Sequence, residues 1–407
     1  MNAAAATRVL IVGAACTAGT VTAQVPPYRD VTDTHLPARL AGGCMNAASG
    51  DADGDGDLDL ALAMEFEPNI LLLNDGKGRF TNGSERLPRT AHDSEDVAFA
   101  DFDRDGDLDL VLVSEDDRKD ELYINDGKGR FADASERLAT DDVSNALAVL
   151  DLNRDGAPDV LTGNIGTDRA LISDGRGNFR DETAERWPQD GTSRTQDLEL
   201  ADVDGDGDLD VIVGNEGQDQ LFLNDNGRLV DATARSLPVR DDETRKIKAV
   251  DVDGDRDLDL VVANVRFITN EPAQNYLLLN DGSGVFTTAD TARLPGAGRS
   301  HFTIQAADLD HDGDSDVLAP STVFTRSEVN AFGDYLVLLN DGSGRFSEPG
   351  PGTILPTTAV GNGFDVEVAD FDGDGIADLF LCNRASIDAA PAESGGRQRL
   401  LLGSRPL

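Results

Sequence analysis

One nine-residue pattern recurs seven times along this chain and limits what the chain can fold into. The pattern reads D-x-[DN]-x-D-[GR]-x-x-D. Its copies start at Asp51, Asp101, Asp151, Asp202, Asp251, Asp308 and Asp370. A period of roughly 50 to 60 residues is typical of proteins in which one supersecondary unit is repeated.

The residues around each copy predict four short strands per repeat. A short alternating segment, such as DVAFAD or DLELAD, leads into the aspartates, and an apolar run, such as LDLVLVS or LDVIVG, leaves them. A second apolar run then ends in a turn such as NDGKGRF, where Asp-Gly favours a hairpin because glycine tolerates positive φ. No segment shows sustained helical periodicity.

Four-stranded sheets repeated at this period are the blades of a β-propeller. We therefore predict an all-β fold with seven four-stranded blades. The last repeat stops at RLLLG, after its third strand, whereas residues 24–40 resemble the fourth-strand segments of other repeats. We expect residues 24–40 to complete the last blade, so that the N- and C-terminal strands pair and close the ring. Closure removes an exposed sheet edge.

The first 23 residues have the features of a secretory signal. Arg8 precedes a short apolar stretch at 9–15, and small residues follow at a cleavage position. We expect residues 24–407 to form a single domain that is secreted, periplasmic or on the cell surface. A lipoprotein acylated at Cys16 is an open alternative. No later stretch reaches about 20 apolar residues, so the sequence predicts no transmembrane segment.

Charge excludes one class of partner. The chain has 77 acidic and 35 basic residues, for a formal net charge of −42. Such a protein repels phosphate backbones, so we expect no nucleic-acid binding. Many of the aspartates lie in the repeated pattern, and their regular spacing indicates metal ligands rather than a solvated surface.

Two cysteines remain after the signal segment, Cys44 in the first repeat and Cys382 in the last. Ring closure brings these repeats together and places both cysteines on the face opposite the aspartate segments. A disulfide and a pair of separate buried thiols both remain open.

Spacing of the aspartates favours calcium. Carboxylates at positions 1, 3 and 5 of a tight loop converge on one point, position 7 offers a carbonyl, and position 9 closes the shell of six to eight hard oxygens that calcium takes. An EF-hand would require Glu at position 12. That position is instead Leu62, Leu112, Thr162, Val213, Val262, Ala319 and Leu381, which excludes the EF-hand.

The pattern resembles the FG-GAP and VCBS repeats of the integrin α-subunit propeller and of many secreted bacterial proteins. The resemblance covers nearly all of the chain after the signal segment, and it implies calcium in the strand 1–2 loops on the lower face of a seven-bladed propeller. The implied ligands are Asp51, Asp53, Asp55 and Asp59; Asp101, Asp103, Asp105 and Asp109; Asp151, Asn153, Asp155 and Asp159; Asp202, Asp204, Asp206 and Asp210; Asp251, Asp253, Asp255 and Asp259; Asp308, Asp310, Asp312 and Asp316; Asp370, Asp372, Asp374 and Asp378.

Two of the seven sites depart from the pattern. Asn153 replaces a charged ligand in site three, and Arg256 stands in site five where the other six sites have glycine. A side chain strains that turn, and a guanidinium competes with the ion. We expect up to seven structural calcium ions, with the site at Asp251 the weakest.

Partner-binding residues are expected on the upper face, in the long loops of blades five to seven. These loops are residues 265–276, 321–335 and 383–399. They contain Arg266, Phe267, Phe324, Arg326, Phe332, Tyr335 and Arg384, a mixture common at interfaces. Plain loop variation is the alternative. We expect a monomer with a protein or polysaccharide partner.

These features predict a secreted calcium-binding propeller that acts as a binding or adhesion module. Two alternatives stay open: a polysaccharide lyase or other carbohydrate-active enzyme on the same scaffold, and a lectin with one site in the upper-face loops. Trp187 takes the place of Leu in the repeated ERLP motif, so we expect it to pack in the core. Asp96, Asp197 and Asp365 are expected to be solvated strand ends, or else an acidic ring at the channel mouth.

Overall fold

The structure is a computed structural model, and it describes residues 26–404 except 39, 41, 139, 190, 266–273, 297–299, 321–334 and 385–395. The predicted signal segment and five of the predicted partner-binding residues therefore lie outside the described residues. Short helices occur at α1 (Thr32–His35), α2 (Thr183–Arg186) and α3 (Thr233–Ser236), with 3-10 turns at Ser84–Arg86, Ser135–Arg137 and Thr291–Arg293. Among the described residues, no helix has the length and apolar character needed to cross a membrane.

The described strands form seven antiparallel units of four strands each. Strand β1 (Tyr28–Asp30) belongs to the seventh unit. Units one and two are β2 (Cys44–Gly50), β3 (Asp59–Pro68), β4 (Ile70–Leu73), β5 (Thr81–Asn82) and β6 (Ala91–Ala100), β7 (Asp109–Ser114), β8 (Glu121–Asn125), β9 (Phe131–Asp133). Units three and four are β10 (Ser144–Leu150), β11 (Asp159–Gly166), β12 (Arg169–Ser173), β13 (Phe179–Asp181) and β14 (Ser193–Ala201), β15 (Asp210–Gly217), β16 (Gln220–Asn224), β17 (Leu229–Asp231). Units five to seven are β18 (Asp242–Val250), β19 (Asp259–Asn264), β20 (Tyr276–Asn280), β21 (Phe286–Thr288); β22 (Gln305–Ala307), β23 (Asp316–Pro320), β24 (Tyr335–Asn340), β25 (Phe346–Ser347); and β26 (Gly363–Ala369), β27 (Asp378–Asn383), β28 (Arg399–Gly403) with β1.

The first strands of the units, from β2 to β26, form a closed inner ring. From β2 to β18, each first strand contacts the first strand of the next unit, and β26 contacts β2. Between β22 and β26, the Gln305 side-chain amide donates a hydrogen bond of 2.9 Å to the Val366 carbonyl. The sheets therefore radiate from a common axis, and the predicted all-β propeller fold is confirmed.

Hydrophobic residues are buried between neighbouring units rather than within one. The described residues form seven such clusters, each from two adjacent units, and one cluster joins the last unit to the first through residues such as Leu60 and Phe380. The second strand of a unit is covered on both sides, which explains continuous apolar runs such as LVLV in β7. Trp187 is fully buried and packs edge-on against Phe222 of the next unit, as predicted.

Both ends of the described chain meet in the seventh unit. Tyr28 pairs with Gly403 and Asp30 with Leu401, so β1 supplies the fourth strand that the last repeat lacks. Cys44 and Cys382 form a disulfide between the first and last units. The predicted closure of the ring is thus present, with a covalent bond beside it.

Candidate metal centres in the aspartate loops

All seven copies of the pattern connect the first strand of a unit to its second strand. We call these nine-residue segments the aspartate loops and number them by unit; loop one is residues 51–59, between β2 and β3. The ninth position is always the first residue of the second strand, as Asp59 is in β3. The loops therefore share one end of the propeller, the lower face.

The first aspartate of each loop folds the segment around its own carboxylate. In loop one, Asp51 Oδ1 accepts hydrogen bonds from the amides of Gly54 (2.8 Å) and Asp55 (3.1 Å), while Oδ2 accepts one from Gly56 (3.0 Å). The bond from position six to position one recurs in the other six loops. This turn directs the first and third side chains toward one point, where the ninth side chain joins them in loops one and two and the fifth in loops four and five.

Positions four and six of every loop have positive φ. Glycine occupies position six in six loops, where it adopts this backbone without strain. In loop five the residue is Arg256, which is held at a φ of 79°. A residue with a side chain in this region costs about 1 kcal/mol or more.

Carboxylate oxygens converge in these loops. One oxygen from each of three aspartates lies within 4.8 Å of the other two in several loops. Such groups include Asp51, Asp53 and Asp59; Asp101, Asp103 and Asp109; Asp202, Asp204 and Asp206; and Asp251, Asp253 and Asp255. In three loops the third-position oxygen, Oδ1 of Asp53, Asp253 or Asp310, is buried and no described residue donates a hydrogen bond to it. Buried acceptors normally have partners, so a hard cation fits these positions.

The ninth aspartate ties its loop to the hairpin of the same unit. Asp59 Oδ2 accepts the amide of Ala52 (3.0 Å), and Oδ1 accepts the amide of Asn74 (2.8 Å). Corresponding pairs of bonds recur in all seven units. Burial raises the pKa of Asp59, Asp109 and Asp378 to about 7. Each oxygen keeps a second lone pair that can face an ion.

Sequence reasoning missed the arginines that reach these loops. Arg86 Nη1 lies 3.1 Å from Asp53 Oδ2 and 3.0 Å from the carbonyl of Lys128 in the next unit. Arg104 Nη2 lies 3.2 Å from Asp155 Oδ1 of the next loop. The available signal was the arginine repeated in segments such as SERLP and AERWP, whose spacing matches that of the aspartate pattern.

In several units the asparagine of the NDG turn links its own aspartate loop to the loop of the preceding unit. Asn125 Nδ2 donates to the carbonyl of Ala52, the second residue of loop one (2.8 Å), and to Leu108 of its own unit (2.9 Å). Asn280 and Asn340 make the same pair of bonds to the preceding and their own units. In these units a buried amide therefore connects adjacent aspartate loops.

Around the upper end of the inner ring lie the three aspartates predicted as solvated strand ends. Asp197 and Asp365 are in fact buried, so that interpretation is wrong for them. Each of Asp96, Asp197 and Asp365 accepts a backbone amide from the neighbouring first strand, at 3.0, 2.7 and 3.2 Å. Lys246 Nζ lies 2.8 Å from Asp197 Oδ1. The group joins adjacent first strands around the channel.

Replacing Lys246 with methionine should lower the free energy of unfolding by about 2 kcal/mol. The change leaves the buried carboxylate of Asp197 without its counter-charge, which is costly in a site shielded from water. Lys248→Met is the matched control, because its partner Glu199 is more exposed, at 15% against 3% for Asp197. Denaturant titration should give a clearly smaller loss for the control; equal losses would contradict the prediction.

Replacing Arg256 with glycine should stabilise the protein by about 1 kcal/mol in calcium, because it relieves a strained φ and removes a competing cation. The reciprocal control is Gly207→Arg in loop four, where glycine has a φ of 94°. We expect that change to destabilise by a similar amount. Both variants are compared with the wild type by unfolding at fixed calcium. The same free energy of unfolding for Arg256→Gly and the wild type would count against strain in loop five.

Two of the predicted partner-binding residues are described, and both make internal contacts. The Tyr335 hydroxyl donates to Asn383 Oδ1 (2.8 Å), and Arg384 Nε donates to Glu65 Oε2 (2.6 Å). These side chains therefore join the sixth, seventh and first units. Arg266, Phe267, Phe324, Arg326 and Phe332 lie outside the described residues.

Known structures share this fold. The chain aligns with BBS1N, described in complex with ARL6DN, at a TM-score of 0.56 and 11% identity, over 94% of this chain and 98% of that one. It also aligns with the extracellular domain of the putative one component system BT4673 from B. thetaiotaomicron, at a TM-score of 0.52 and 11% identity, over 92% of this chain and 39% of that one. An Agrocybe aegerita lectin that recognises non-reducing terminal N-acetylglucosamine aligns at a TM-score of 0.49 and 18% identity, over 75% and 79%.

Sequence comparison gives the family. Cartilage acidic protein 1 of Xenopus tropicalis is 32% identical over 101 residues, which span 23% of this chain and only 15% of that relative. The model of the FG-GAP-like repeat matches six segments, residues 51–112, 105–162, 151–213, 202–262, 265–319 and 323–381. These matches span most of the described propeller and contain the aspartate loops. The chain therefore belongs to the family of FG-GAP-like repeat proteins.

Proposed function

We propose that this protein is a secreted calcium-binding propeller that binds a protein or glycan partner through its upper face, with calcium in a structural role. The observation that carries the calcium assignment is the buried third-position oxygen of loops one, five and six, to which no described residue donates. Three converging carboxylates and one such oxygen suit a hard divalent cation. The four predicted side chains of each loop would hold the ion.

Calcium would act on the scaffold rather than on a substrate. Each aspartate loop joins the first and second strands of its unit, and its ninth aspartate reaches the hairpin between the third and fourth strands. An ion that binds the loop therefore fixes the geometry of all four strands. Because the ligands are deprotonated and crowded, binding free energy contributes directly to folding.

Three other features support partner binding by a secreted protein. Loops on a rigid scaffold are the usual place for recognition residues. BBS1N, a protein of the same fold, is described in complex with ARL6DN, which offers a precedent for a protein partner. The Cys44–Cys382 disulfide is typical of an oxidising compartment and supports secretion.

Equilibrium dialysis tests the calcium assignment. The chain should take up several calcium ions at millimolar magnesium, and the double variant Asp202→Asn with Asp204→Asn should lose one of them. Asp225→Asn in the adjacent hairpin, where the carboxylate is exposed, is the control for removing an acidic side chain outside the loop and should lose none. Uptake of no calcium by folded protein would overturn the assignment.

Affinity capture tests the partner. The calcium-loaded protein is immobilised, extracellular extract supplemented with polysaccharides is passed over it, and bound material is eluted with a chelator. We expect a discrete protein or glycan; a glycan retained without turnover would favour the lectin alternative, and a shortened glycan would favour the lyase. An empty eluate from folded, calcium-loaded protein would contradict the binding role.

A further inference from the structure

A second kind of acidic cluster lies at the opposite end of unit two from its aspartate loop. One carboxylate oxygen from each of Asp93, Glu115 and Asp116 lies within 4.8 Å of the other two. Asp93 is near the start of β6 and Asp101 directly follows that strand, so the two groups are separated by about 25 Å of extended chain. The cluster is therefore independent of the lower-face loops.

Three chain segments meet at this cluster. Asp93 pairs with Glu65 of β3, the second strand of unit one. The Glu115 amide donates to the Asp93 carbonyl (3.1 Å), and the Asp116 amide donates to Asp93 Oδ2 (3.1 Å). The backbone thus fixes Asp93 and Asp116 together at the junction of units one and two.

Asp93 has a buried oxygen that lacks a hydrogen-bond partner among the described residues. The residue is only 2% exposed. Its Oδ1 is buried, and no described residue donates a hydrogen bond to that oxygen. Burying a carboxylate oxygen beside two more carboxylates without compensation is strongly unfavourable. The site calls for a positive charge.

Nearby cationic side chains are bonded to other carboxylates. Arg384 Nε lies 2.6 Å from Glu65 Oε2, and Arg245 Nη2 lies 2.9 Å from Glu216 Oε1. His92 Nδ1 contacts Asp117 Oδ2 at 2.5 Å. None of these three ion pairs includes Asp93, Glu115 or Asp116.

Unit four shows how negative charge at the corresponding positions is neutralised elsewhere in the chain. Counting from the aspartate loops, Arg194 takes the place of Asp93, and Glu216 takes the place of Glu115. There the Arg194 Nε lies 2.6 Å from Glu216 Oε2. Unit four supplies a guanidinium where unit two supplies a third carboxylate, so the cluster of unit two is open to a cation from solution.

We propose that Asp93, Glu115 and Asp116 bind one divalent cation on the upper face, at the junction of units one and two. Three carboxylates are a hard oxygen set, which suits calcium, with water completing its coordination. Asp93 is the buried ligand, whereas Glu115 is half-buried and Asp116 is exposed, which leaves a path for the ion to enter. The ion would fix the segment after β7 against the start of β6.

Native mass spectrometry of the full chain in calcium gives the direct count. Asp93→Asn should carry one ion fewer than the wild type. Asp241→Asn, an exposed carboxylate just before β18, removes the same charge and should carry the wild-type number. Equal counts for the wild type and Asp93→Asn would overturn the proposal. The aspartate loops are intact in both variants. Loops that failed to bind calcium would therefore lower the ion count of every protein equally and would leave the difference between each variant and the wild type unchanged.

Thermal unfolding distinguishes the loss of an ion from a folding defect. In chelator, Asp93→Asn should unfold at the wild-type temperature or above it, because the variant removes repulsion between carboxylates. In calcium, it should unfold below the wild type. Glu115→Gln should behave alike, and crystals soaked in gadolinium should show an anomalous peak between these side chains. Variants that melt lower than the wild type under both conditions, with no such peak, would overturn the proposal.

Discussion

Removing calcium should lower the unfolding temperature of this protein by more than about 10 °C at neutral pH. Each aspartate loop brings several carboxylates together in a chain whose formal net charge is already −42. Without cations these groups repel one another at the point where the first and second strands join. A ligand at one hundred times its dissociation constant stabilises the native state by about 2.7 kcal/mol per site, and the effect accumulates over independent sites.

Differential scanning calorimetry in excess calcium and in chelator measures this shift. Adding calcium back should restore the original transition, whereas magnesium should restore it only in part, because magnesium prefers a smaller, more rigid shell. Raised sodium chloride is the control for general repulsion, since screening shortens the reach of surface charges without binding the loops. The same melting temperature in calcium and in chelator would contradict a structural role for the ions.

Loss of the disulfide should cost about 3 to 5 kcal/mol of unfolding free energy. Cys44 and Cys382 are separated by 338 residues and are both fully buried. A crosslink over such a distance restricts the unfolded chain strongly, and the chain-entropy model gives roughly 5 to 6 kcal/mol as an upper value. The bond also joins the first unit to the last, where the ring closes.

Denaturant titration of the double variant Cys44→Ala with Cys382→Ala measures this contribution. Reductant should shift the unfolding midpoint of the wild type toward that of the variant and should leave the midpoint of the variant unchanged. Because the disulfide and the aspartate loops act at opposite faces, the loss should add to the loss caused by chelator. Coincident unfolding curves for the wild type and the variant would refute the prediction.

Local signals in the sequence were sufficient for the fold. The aspartate pattern, the NDG turns and the apolar runs each depend on residues close together in the chain, so one repeat defines one unit. Ring closure could also be predicted, because residues 24–40 match the fourth-strand segments of other repeats. The repeated ERLP position likewise indicated that Trp187 packs in the core.

Contacts between repeats were not predictable in the same way. Asn125 reaches the carbonyl of Ala52, 73 residues earlier, and Lys246 reaches Asp197, 49 residues earlier. Such partners depend on which side chains face each other across adjacent sheets, and a repeat pattern does not specify that. Asp197 and Asp365 were mistaken for solvated ends because an acidic residue at a strand terminus usually faces water. Calcium in the loops remains a prediction.

Pairing of β1 with β28 also constrains when the protein can finish folding. Asp30 and Arg399, which form an ion pair in the seventh unit, are 369 residues apart. At about 5 to 20 residues per second, a ribosome needs roughly twenty seconds to over a minute to make that stretch. Until then β1 has no sheet to join, and the growing array exposes an unpaired edge. The first strand of the propeller made by the ribosome must therefore be among the last to find its place.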